Sequence, residues 1–138
     1  MGNTKPIGVA YLDQDIVGAD QIYSNGELGY TAAAQGTVTQ ATDKSTAVTL
    51  NKAAGQITMN GAALAGNTAV QFTLNNTYIS SNDILILNIG AGAVADPAAY
   101  TVYVSNLSAG AALITVRNLT ATSRSEALVI NFAIIHCI

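Results

Sequence analysis

The chain has 138 residues and a net charge of −3, and only 9% of its residues are charged, thirteen in all. A soluble domain ordinarily carries about a quarter of its residues as charges, so a large part of this outside is expected to be covered by copies of itself or by a larger assembly. Five basic residues scattered along an acidic chain exclude the basic patch that nucleic acid or an anionic membrane would need, and neither is expected as a partner.

The first 45 residues form no lasting hydrophobic period. They mix single apolar residues with Gly, Asp, Asn and Ala, and Asn25-Gly26 is a strong turn signal. Short strands are conceivable at 27–31 (ELGYT) and 37–41 (TVTQA). Residues 1–45 are read as an extended arm ordered against a partner, followed by a domain over 46–138. The start, MGNTKPIGVAYLDQD, has no apolar stretch of signal-peptide length, and Pro6 breaks the myristoylation pattern.

From residue 46 the pattern becomes regular. TAVTLN (46–51) places Val48 and Leu50 on one face, and AGQITMN (54–60) pairs Ile57 with Met59. GAALAGNT (61–68) reads as a loop or a single helical turn. AVQFTLNN (69–76) turns Val70, Phe72 and Leu74 inward and Gln71 and Thr73 outward, the alternation of a half-buried antiparallel strand. DILILNI (83–89) is apolar on both faces and is expected at the centre of a sheet. AYTVYVSNL (99–107) alternates Tyr100, Val102 and Val104 against Thr101, Tyr103 and Ser105. ALITVRNL (112–119) follows, and EALVINFAII (126–135) is again apolar on both faces. Such a run is hazardous at a sheet edge, so it is expected in mid-sheet, one face in the core and the other available to a subunit interface. Strands recurring every ten to fifteen residues, with turn residues between them and no amphipathic helix, predict an all-β, jelly-roll-like antiparallel β-sandwich behind an extended N-terminal arm.

The long charge-free run 53–82 is no membrane span, because Gln56, Asn60, Asn67, Gln71, Asn75 and Asn76 interrupt it. The apolar C-terminal run from 127 is too short for one. A non-secreted product without a membrane segment is expected.

Residues that could carry chemistry are few. A single histidine, His136, rules out a His-pair zinc site. Its neighbour Cys137 would point to the opposite face of a strand and is expected as a small buried hydrophobe. Asp13 and Asp15 open like a calcium loop, but Val17 and Ser24 stand where ligands are needed, so a solvated or partner-bound loop is expected instead. Asp83 and Asp96 suit turns and caps. Arg117 is expected in an ion pair, for example with Glu126, or across a subunit boundary. Sequons at Asn75, Asn106 and Asn118 read as polar turns in the absence of a secretory signal. No phosphate-binding glycine loop follows 61–68. Neither catalysis, a cofactor nor a metal is expected.

The run KSTAVTLNKAAGQITMNGAALAGNTAVQFTLNNTYISSNDILILNI, then AYTVYVSNLSAGAALITVRNL and SEALVINFAIIHC, resembles a domain recurring in virion proteins of tailed bacteriophages. The likeness covers roughly residues 44–136 and is carried by a strand framework, not by a catalytic motif. It implies a small β-sandwich module of the virion surface that assembles as a trimer, either in a capsid decoration (cement) protein or in a tail or head fibre. The expectation is a homotrimeric decoration protein on the capsid surface, made in the host cytoplasm, with arm 1–45 meeting the major capsid protein. Its trimer interface would use one face of the 126–135 strand or of the 84–89 strand, the candidates being Ile84, Ile86, Val129, Asn131, Ala133 and Ile135. The alternative is a receptor- or glycan-binding fibre module, with Tyr78, Tyr100 and Tyr103 as the glycan surface.

Overall fold

The computed structural model describes residues 21, 23–93 and 95–137. Residues 1–20, with Asp13, Asp15 and most of the expected arm, lie outside the described residues. After a short 3-10 turn at Ala32–Ala34 come eight strands: β1 (Gln35–Thr39), β2 (Val48–Thr49), β3 (Ala54–Thr58), β4 (Ala69–Asn75), β5 (Ile84–Ala91), β6 (Tyr100–Ser108), β7 (Ala111–Asn118) and β8 (Val129–Ile135). They form two four-stranded sheets, β1-β3-β8-β5 and β2-β4-β7-β6, packed as an all-β sandwich. Successive strands cross from one sheet to the other at every step except β6–β7, a hairpin whose two-residue turn holds Gly110 at φ +80°.

The inner faces follow the alternation of the sequence. Phe72 and Leu74 of β4, Ile114 and Val116 of β7, Ile57 of β3, and Ile130, Phe132 and Ile134 of β8 are all buried in one core, joined by Met59 and Leu128 from the loops. Removing these side chains from water is the main stabilising term.

The structure departs from the expected frame in several places. The inner strand pairs are antiparallel, but the outer strands β1 and β2 join β3 and β4 in parallel. The sandwich begins by Gln35, within the stretch assigned to the arm, and β1 overlaps the short strand considered at 37–41; its start escapes the pattern because its first inward position is Gly36, where Leu50 comes within 2.9 Å of an added Cβ. Residues 27–31 form no strand, whereas 61–68 is a loop, one of its two readings, tied down by a bridge between Leu64 and Arg124. Lastly, β5 is an edge strand rather than a central one, while β8 takes the mid-sheet position expected of it. An outer face of isoleucines reads the same from sequence whether a neighbouring layer or nothing in the same chain covers it.

Candidate functional site

All six residues expected at a subunit interface lie together on the outer face of the β1-β3-β8-β5 sheet. Register pairs Ile84 with Ile135 and Ile86 with Ala133, and places Asn131 between Asn88 and Gln56, with Val129 beside Ala91 and Thr58. The two strands that supply them are neighbours, so they make one surface rather than two alternatives. Ile84, Ile86 and Ile135 are 53%, 49% and 48% exposed, and Val129, Asn131 and Ala133 are half-buried. Beyond this apolar row the face turns polar without becoming charged. Gln56 Nε2 donates to Asn131 Oδ1 at 3.0 Å, and Asn131 lies so close over Gly90 that a Cβ there would come within 2.6 Å of its Nδ2. None of the four strands of this sheet contains Asp, Glu, Lys or Arg.

One margin of the face is marked by Asp83. Its carboxylate accepts from the Ser80 amide (2.8 Å) and hydroxyl (2.7 Å), from His136 Nδ1 (3.0 Å) and from the Cys137 amide (3.3 Å). These donors, the Ser80 amide foremost, hold the carboxyl well below the usual range against the opposing effect of burial. The His136 ring and the Cys137 backbone amide both reach Asp83, just beyond the strand end at Ile135, while the Cys137 thiol takes no part. Cys137 is exposed, not the buried hydrophobe expected, because it lies beyond the last core position of β8.

The tyrosine trio is not a surface. Tyr100 is buried, 6% exposed, and its hydroxyl donates to Glu126 Oε2 at 2.6 Å; burial and that carboxylate push the phenol up. Tyr103 points out from mid-β6, opposite Thr115, and Tyr78 lies in the turn after β4. Tyr100 and Tyr103 are three apart on one strand, so they face opposite sides.

Glu126 does have an arginine partner, but it is Arg124 (2.9 Å), which also grips Asp96 at 2.7 Å. Arg117 lies on the outer face of β7 and is exposed. Lys44 completes this end of the molecule: although nearly inaccessible, it donates to the carbonyls of Asn60 and Glu126, each at 2.6 Å. Desolvation pulls its pKa down and Glu126 acts the other way. Such a closed network fastens loops together.

Among the described residues, no group of three or more His, Cys, Asp or Glu is placed to hold a metal ion, and no helix is long and apolar enough to cross a membrane. No protein-family model, curated protein or solved structure matches the chain.

Proposed function

We propose that this chain is a phage virion structural protein that works as a homotrimer, decorating the capsid and stabilising the shell, and that its subunits join through the outer face of β5 and β8. The observation that carries the self-association is the row Ile84–Ile86–Ile135, half exposed on a sheet whose strands contain no charge. Isoleucines in adjacent register on a flat sheet invite a partner layer, and a face without charge has nothing to repel its own copy. The virion assignment rests on the strand-framework resemblance over residues 44–136. The work is mechanical on this reading: each apolar Å² buried between shell components contributes about 25 cal/mol, repeated around the lattice, with the N-terminal arm meeting the major capsid protein.

Sedimentation and light scattering at micromolar concentration test the assembly. A trimer is expected for the wild type and a monomer for Ile86→Glu; a monomeric wild type overturns the reading. Electron cryomicroscopy of intact particles tests the location. Density at regular capsid sites supports decoration, and density only along the tail reassigns the protein to a fibre.

A further inference from the structure

The chain approaching β1 runs beside this same face. Leu28, Gly29 and Tyr30, together with Ile86, Ala133 and Ile135, enclose an open apolar cleft of about 490 Å³. The segment is anchored on the C-terminal side of Leu28. The Tyr30 hydroxyl donates to the Ile134 carbonyl, Gln35 Nε2 donates to the Tyr30 carbonyl at 2.7 Å, and Lys52 Nζ donates to the Ala33 carbonyl at 2.8 Å. Leu28 nevertheless remains 92% exposed, more than any other large apolar side chain described, and it stands next to a cleft that it does not fill.

We infer that the cleft is a socket for a second copy of this chain, and that Leu28 of one subunit seats against Ile86 and Ile135 of the next. The occupant follows from the chemistry of the surroundings. The polar residues of the face include Thr37, Gln56, Thr58, Asn88 and Asn131, which both donate and accept hydrogen bonds; around a rotation axis they can meet the next copy, whereas charged residues would meet like charge. In a closed ring each copy gives one Leu28 and receives one, the head-to-tail contact that a three-fold assembly requires. The inference rests on the proposed β5–β8 interface and extends it: residues 28–30, read from sequence as part of a capsid-binding arm, become part of the subunit contact.

Two experiments on the full chain test it. In a Cys137→Ser background, Leu28→Cys chains carrying a size tag are co-expressed with untagged Ile86→Cys chains and oxidised mildly. A disulfide joining a tagged to an untagged chain is expected. Separately, Leu28→Glu, at a position too exposed to threaten folding, should weaken self-association by about tenfold or more. If the wild type associates but no mixed disulfide forms and Leu28→Glu associates as the wild type does, the socket is overturned and the β5–β8 interface stands. If the wild type is monomeric, both fall.

Discussion

Single side chains in this protein do the work that ion pairs do elsewhere. Asn118 is fully buried; its Nδ2 reaches the carbonyls of Leu64 (3.0 Å), Ala65 (3.2 Å) and Thr122 (2.8 Å), and its Oδ1 accepts from Thr120. Gln40 and Asn76 fasten other loops in the same way, through Lys44, Thr46, Asn60, Lys52 and Tyr78. Buried amides with every polar atom matched avoid the desolvation cost of charge, and Asn118 is too enclosed to serve as a glycosylation acceptor. Tyr100→Phe removes the phenol that Glu126 accepts from and should cost ~1–2 kcal/mol in chemical denaturation. Lys44→Met leaves two part-buried carbonyls without their donor and should cost ~1–2 kcal/mol. Asp83 makes a pH prediction. Its carboxyl is depressed in the folded state, so its contribution is fully present above the unfolded value of about 4 and is lost as pH falls toward the folded one. Asp83→Asn should therefore lower the melting temperature at pH 7 and flatten its decline on acidification; thermal melts between pH 2 and 7 giving parallel curves for the two proteins would contradict this.

At the scale of elements, alternation was readable wherever a strand shows apolar residues to one side only. β4 and the first half of β6 have the faces their residues announce, and the inward trio Val70, Phe72 and Leu74 is where the pattern places it. What stayed hidden were positions that carry no bulk, such as Gly36 at the start of β1, and pairings between strands, such as the parallel one of β1 with β3. Whether β5 lies at an edge or a centre is set by strand order, which residue periodicity does not encode. The six interface candidates were legible as two doubly apolar strands; that they share one face required the register. Leu28 was missed because a lone leucine between Glu27 and Gly29 has no periodicity to signal it. Phe72→Ala should cost ~3–5 kcal/mol. Gly92→Ala should cost ~2 kcal/mol or more, since Gly92 holds φ +92° and a Cβ there would lie 2.5 Å from the Ala127 carbonyl oxygen. Urea titrations of both variants read these losses directly.

For the whole molecule, charge is segregated from the sheets. Among the described residues Arg117 is the only charged one within a strand; the others lie in loops, where Asp43, Asp83, Asp96, Arg124 and Glu126 cap turns or close the loop network. The charge deficit therefore describes a molecule whose two sheets carry almost no charge, one of them none among its strands, within a charged perimeter of loops. That division gives the sandwich a direction, with the β5–β8 side suited to contact and the loop ends suited to solvent.

The absence of charge from the β1-β3-β8-β5 layer also governs how fast and under which conditions subunits would find each other. With no opposite charges to steer encounter, association across this face should proceed at roughly 10⁵–10⁶ M⁻¹s⁻¹, unaccelerated by low ionic strength. Because apolar burial weakens on cooling, assemblies should loosen in the cold and tighten on moderate warming, with a negative heat-capacity change on association. Dilution calorimetry across temperature and salt reads this directly: a β5–β8 contact held by the entropy of water would respond to cooling far more than to salt.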